Sequence, residues 1–150
     1  MKTRLTTLLM LLGIFLLTGC TKSSEVPETR EEKVVGYLTG AGNKYWHLKE
    51  VYVNAVKQVL TDAQLRFTKT YTIDPANTDP TRPRGSFVNS DGYNGTWKLI
   101  GGGETLYETF LNNPAGPVAI TFIINDVSSD KLDIEYTLNM KTQREVYYAY

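Results

Sequence analysis

Few side chains in this sequence are of kinds that do chemistry. There is one His, His47, and one Cys, Cys20. Any Cys–His or Ser–His catalytic pair would have to be built on His47, and neither an intrachain disulfide nor a Cys/His zinc cluster can be assembled. His47 alternates with Trp46 and Leu48, so it should point outward from a strand. Asp133 and Glu135 fall on one strand face. Two carboxylates divide acid and base roles only where an apolar site raises one pKa, and nothing here supplies one, so they read as a solvated face. Gly101-Gly102-Gly103 lacks the Lys-Ser/Thr of a phosphate loop and no helical pattern follows it, so it reads as a hairpin. Arg82-Pro83-Arg84 reads as a surface loop rather than an anion grip. The composition argues against an enzyme, and neither cofactor nor metal is expected.

Sixteen basic and sixteen acidic side chains cancel, so no overall field recruits nucleic acid. The hydrophobic share of 41% is inflated by one block, residues 8–17, interrupted only by Gly13. Lys2 and Arg4 precede it. A span of about 30 Å of hydrocarbon needs about 20 apolar residues, so this run is too short to cross and reads as a secretory signal. It is followed by Leu17-Thr18-Gly19-Cys20, which resembles the lipobox of bacterial lipoproteins. That resemblance implies cleavage between Gly19 and Cys20 and acylation of the Cys20 sulfur and of the new N-terminus. Three acyl chains, each buried CH₂ contributing about 0.8 kcal/mol, would anchor the chain stably. Thr21 stands where an Asp is associated with inner-membrane retention, so the expected location is the outer membrane, on either its periplasmic or its outer face.

The elements follow from this division. Residues 1–19 are the expected signal peptide, and their loss removes two basic charges and no acidic one. Residues 20–33 are the expected lipidated Cys and tether. The segment after Cys20, TKSSEVPETREEK, carries a single aliphatic residue, Val26, and cannot bury enough apolar surface to order itself. Residues 34–150 are the expected domain, long enough for one core.

Within that domain the apolar period is two. Leu132, Ile134, Tyr136 and Leu138 alternate with polar residues, as do Trp46 and Leu48, and Trp97 and Leu99. Val118, Ile120, Phe122 and Ile124 alternate less cleanly, because Ile123 faces the other way. Leu65, Phe67 and Tyr71 share a face with Lys69, opposite Thr68, Thr70 and Thr72. Arg144, Val146, Tyr148 and Tyr150 form a last strand. Turn residues at Asn89-Ser90-Asp91-Gly92, Gly101-Gly102-Gly103, Asn112-Asn113-Pro114 and Ser128-Ser129-Asp130 separate the runs. No convincing ten-residue helical stripe exists; residues 51–60 come nearest, and there Asn54 with the run of β-branched Val suits a hairpin at least as well as a helix. About eight short strands in sequence order predict an all-β, antiparallel up-and-down arrangement, a small eight-stranded barrel or flattened sandwich, with one long proline-bearing connection over residues 74–84.

Leu38-Thr39-Gly40, Trp46-His47-Leu48, Val53-Asn54, Gly95-Thr96-Trp97-Lys98-Leu99 and Asp130-Lys131-Leu132 together resemble the lipocalin-like lipoproteins of Bacteroidota-type Gram-negative bacteria. The resemblance covers residues 37–150 and implies a lipocalin-like barrel. Larger lipocalins pair a Gly-x-Trp on the first strand with a basic residue near the end of the chain. Here the Gly is replaced by Lys44, and Arg144 is the residue placed to stack on Trp46. Eight strands enclose room either for side chains alone or for one small ligand. The aromatic residues expected to line such an interior are Trp46, Phe67, Tyr71, Trp97, Phe122, Tyr136 and Tyr148, with Trp46 and Trp97 equally suited to plug the barrel floor. The functions consistent with this are a monomeric, membrane-tethered module binding a small apolar or amphipathic ligand, or a solid barrel that meets an envelope protein through its Tyr-rich surface.

Overall fold

The computed structural model describes residues 27–40, 42, 44–77, 79 and 83–150. The expected signal segment, the cleavage site at Gly19 and Cys20, the first part of the tether, and Arg82 lie outside the described residues.

The alternating runs become a nine-stranded antiparallel sheet: β1 (Trp46–Val53), β2 (Val56–Lys57), β3 (Thr68–Ile73), β4 (Arg84–Asn89), β5 (Asn94–Ile100), β6 (Thr105–Phe110), β7 (Val118–Val127), β8 (Lys131–Leu138) and β9 (Lys141–Tyr148). The strand order is β2-β1-β3-β4-β5-β6-β7-β8-β9, and β9 returns to pair with β1. Eight strands thus close an all-β, lipocalin-like up-and-down barrel, and β2 is a short addition to β1. Closure runs from His47 opposite Tyr148 to Val53 opposite Gln143, with a bulge between Leu48 and Glu50. The other side of β1 is thinly paired: β3 meets it only at Trp46–Lys69 and His47–Thr68. β2 covers its far end, and the short helix α2 (Asp62–Leu65) packs alongside.

Turn chemistry explains the connections. Gly101, Gly102 and Gly103 all have φ between 65° and 78°, so this hairpin uses a left-handed backbone that only Gly adopts freely. The β1–β2 and β8–β9 turns are made instead by Asn54-Ala55 and Asn139-Met140, all four at positive φ, the geometry that matches strand twist. Gly95 serves closeness rather than conformation. A Cβ there would lie 2.0 Å from the Thr109 carbonyl oxygen and 2.7 Å from the Phe87 ring.

Two elements depart from the expected pattern. Leu65, expected on the strand face of Phe67 and Tyr71, ends the short helix α2 and is half exposed, because the strand starts only at Thr68. A longer helix stands near the start of the described residues. Helix α1 (Arg30–Thr39) takes residues 30–33 from the expected tether and continues into the expected domain. It starts at a reciprocal cap: Thr29 accepts from the Glu32 amide, and the Glu32 carboxylate accepts from the Thr29 amide at 2.7 Å. Val34 and Leu38, one turn apart, are buried, at 3% and 0% exposure. The helix packs against β3 and β7 and plugs one end of the barrel. The Leu38 carbonyl accepts from the Trp46 indole N–H at 2.9 Å, which ties the plug to the first strand. Lys44 completes the joint, donating to the carbonyls of Tyr37 and Ser129 at 2.6 and 2.7 Å. The plug, the closed sheet and a core drawn from residues 34–147 are all made within residues 27–150, so this segment carries a complete fold.

Candidate functional site

Period-two alternation sends Phe67, Lys69 and Tyr71 of the β3 region into the barrel, so a lysine stands on an otherwise apolar inner face. The same rule places Glu108 inside from β6, between Leu106 and Phe110. The two meet. Lys69 Nζ donates to both Glu108 oxygens, at 3.2 and 3.0 Å, and the Tyr71 hydroxyl donates to the same carboxylate at 2.5 Å. The pair is sealed from solvent, with side-chain exposures of 5% and 0%. Four ring centroids, of Phe122, Phe87, Tyr71 and Tyr147, lie between 5.3 and 5.9 Å from Lys69 Nζ, which gives the ammonium an aromatic surround. Burial, and then the Glu108 charge, push the Tyr71 phenol well above its usual range, so it stays a donor.

Away from the plug the interior opens. A cavity of about 280 Å³ is bounded by Leu48, Phe67, Lys69, Phe110, Ile120, Phe122, Tyr136, Glu145 and Tyr147 of the barrel. Ala63 and Gln64 of α2, with Asn89 and Asp91 of the β4–β5 turn, form the rest of its lining. This size falls just below the range of about 300–1,000 Å³ usual for small-molecule pockets, so any occupant must be small. Lys69 reaches the wall; its partner Glu108 does not. The second carboxylate inside, Glu145, does. Its oxygens accept from the Tyr136 hydroxyl at 3.2 Å and from the Tyr147 hydroxyl. Tyr136 also lies 3.1 Å from Gln143 Oε1. One phenolic proton serves one acceptor, so with the Gln143 amide turned to donate, Tyr136 gives its proton to Glu145. Burial first, and Glu145 second, raise both phenols above their usual range. All three inner tyrosines are therefore donors at neutral pH. No buried side-chain nitrogen or oxygen among the described residues is left without a partner.

The aromatic residues chosen from sequence divide into three groups. Phe67, Phe122 and Tyr136 line the cavity. Trp46, Tyr71 and Trp97 are core, each no more than 2% exposed and none on the cavity wall. Trp97 stands edge-on to Tyr71 and donates to the Thr72 carbonyl at 3.1 Å. Tyr148 lies on the outer face at 38% exposure; its neighbour Tyr147 points inward. The face of β9 read as apolar is the outer one.

That outer face explains two further departures. Arg144 does not stack on Trp46; Lys44 does, 4.6 Å from the ring centroid. Arg144 instead lies 5.0 Å from the Tyr52 ring and makes two bonds to Asp133, at 2.7 and 2.6 Å. Asp133, expected on a solvated face, is 2% exposed beneath Arg144 and Lys131. Burial pushes its carboxyl up, but the Arg144 and Asn125 bonds outweigh this and hold it below its ordinary value. Asp133 and Arg144 are a structural brace outside the barrel. His47 does lie on the outer face, as alternation implied, and stacks on Tyr150 at 4.6 Å.

Glu108, Glu145 and Tyr147 escaped the sequence reading. The available signal for Glu108 was a lone acid at the centre of an alternating apolar face, matching the lone base between Phe67 and Tyr71. No group of three His, Cys, Asp or Glu among the described residues is placed to hold a metal ion. No family model, curated protein or solved structure matches this chain, so its closed barrel and the cavity within it are the footing for a functional reading.

Proposed function

We propose that this chain is an exported lipoprotein of the lipocalin-like kind, anchored through Cys20 in the outer membrane of the cell envelope, whose barrel binds one small amphipathic ligand without transforming it. The observation that carries the reading is the asymmetry of the interior: one end is packed solid beneath α1, and the other holds a cavity of about 280 Å³ with aromatic walls and a few convergent polar groups. A barrel serving only as a rigid spacer gains nothing from leaving this volume unfilled, since interiors pack to crystal-like density. The cavity therefore favours ligand binding over a solid barrel acting through its surface.

Uptake of the environment-sensitive probe N-phenyl-1-naphthylamine tests the binding half. Saturable enhancement is expected from residues 27–150 and should be lost in Ala63→Trp, which fills the mouth. Absence of saturable uptake, or uptake unchanged by that substitution, sinks the reading. The anchor is tested separately. Cys20→Ser should move the exported protein from the detergent phase to the aqueous phase, and retention in detergent refutes lipidation.

A further inference from the structure

We infer that the cavity selects a small amine, a protonated nitrogen on an apolar body, with its ammonium seated against Glu145. This rests on the cavity being a binding site and adds the charge of what it holds. Charge comes first. The wall carries two carboxylates, Glu145 and Asp91, and one ammonium, Lys69. That ammonium is already held by both oxygens of Glu108, which is buried off the wall. The space a ligand would enter is thus bordered by acid in excess.

The second strand of the argument is valence. A carboxylate offers about four acceptor positions. Glu145 uses one on each oxygen, and both donors are neutral phenols. The ion pairs among the described residues do not include Glu145. A charged acceptor with spare positions in an aromatic pocket suits a cationic donor, whose charge-assisted bond is roughly twice as strong as a neutral one.

The third is the surround. Phe67, Phe122, Tyr136 and Tyr147 present ring surfaces to the same space, and such surfaces attract cations. The protein already contains an instance of this arrangement, for Lys69 Nζ sits among four rings while bonded to a carboxylate. An amine ligand would repeat the motif one layer nearer the mouth. A fatty acid or other anion would instead bring its own carboxylate toward Glu145 and Asp91.

The test compares three probes of one shape, hexan-1-amine, hexan-1-ol and hexanoate, titrated into residues 27–150 and followed by backbone amide shifts of β8 and β9. Hexan-1-amine should bind at least about tenfold more tightly than hexan-1-ol, with hexanoate the weakest. Glu145→Gln keeps the shape of the side chain and one acceptor oxygen but removes the charge, and its amide NH2 can donate to the phenol that loses its acceptor. It should abolish the amine's advantage over hexan-1-ol. Equal or tighter binding of the alcohol or the hexanoate overturns the amine inference and leaves the binding site standing. So does an amine preference that survives Glu145→Gln. If none of the three shifts the cavity amides, both readings fall. The probe series in the wild-type sequence decides the matter even where the variant does not fold.

Discussion

The two halves of the barrel interior are built from the same alternation and are both rich in aromatic residues, yet one is full and the other is not. In the closed half Trp46, Trp97, Tyr71 and Leu106 interlock under the Val34–Leu38 stripe of α1, and the polar atoms there answer one another. In the open half Phe67, Phe110, Phe122, Tyr136 and Tyr147 leave a cavity, and a carboxylate faces it. Lys69 and Glu108 mark the boundary: the base reaches the cavity wall and the acid belongs to the packed layer. The difference teaches that one strand pattern supports stability at one end and recognition at the other. What changes between them is the helix at the opening: the ten-residue α1 buries Val34 and Leu38 over one end, while the four-residue α2 only borders the cavity at the other.

The strongest way to break this comparison is to cut the boundary. Lys69→Met leaves Glu108 charged, dry and without its cation. Removing one member of a buried pair costs about 3–5 kcal/mol, so urea unfolding of this variant should show a loss of that order. Replacing both members with Met and Leu should recover most of it, because the uncompensated charge is then gone. A single variant as stable as the parent would mean that Glu108 does not need Lys69 to remain in the packed layer.

Next in size is the plug. Leu38→Ala removes a fully buried side chain from α1 and should destabilise by about 2–5 kcal/mol. The loss should leave probe binding per folded molecule unchanged, since Leu38 does not line the cavity. Coupled loss of binding in the folded protein would show that the two halves are not separable.

Substitution in the open half should cost less. Tyr147→Phe deletes one hydroxyl from Glu145 while Tyr136 still donates to it, so about 0.5–1.5 kcal/mol is expected from chemical denaturation. A cost as large as that of Leu38→Ala would show the cavity wall to be as tightly determined as the core.

The mildest probe is alkali. A phenol whose folded pKa is raised above the unfolded value near 10 favours the folded state below that pH, and this stabilisation is lost as pH rises through the folded pKa. Tyr71, sealed in the closed half, should ionise only as the barrel unfolds. Tyr136, on the cavity wall, should ionise within the folded protein, though above the ordinary phenolic range. Ultraviolet absorbance followed alongside near-ultraviolet circular dichroism separates the two.

Much of this architecture was written in local pattern. Alternation from Leu132 to Leu138 and turn residues such as Gly101-Gly102-Gly103 announce an antiparallel meander, because pleat and turn geometry depend on neighbours a few residues apart. Even the inward course of Lys69 was legible from Phe67 and Tyr71. Its partner was not: Glu108 lies 39 positions away in sequence, and barrel register alone brings the two together. Tyr148 was chosen in place of Tyr147 because alternation fixes which residues share a face but not which face turns inward. The outer pairing of Arg144 with Asp133 decides that. Helix α1 was hidden by its brevity: Val34 and Leu38 with Gly36 between them make too narrow a stripe to read against a charged background, and its stability comes from the opening it covers.

The thin contact between β1 and β3 has a mechanical meaning. A closed barrel has no free edge, so the joint with the fewest rungs takes that role. Here it has two registered pairs, against six between β1 and β9. Ladders separate first where the fewest bonds must break together. The amide of Leu48, which crosses this joint to the Phe67 carbonyl, should exchange its proton sooner than that of Val146, which is laddered on both sides in β9. Leu48 and Phe67 both border the cavity, and α2 lies over the joint. The seam is therefore the stretch of wall expected to loosen first, and it lies beside the cavity rather than under the plug.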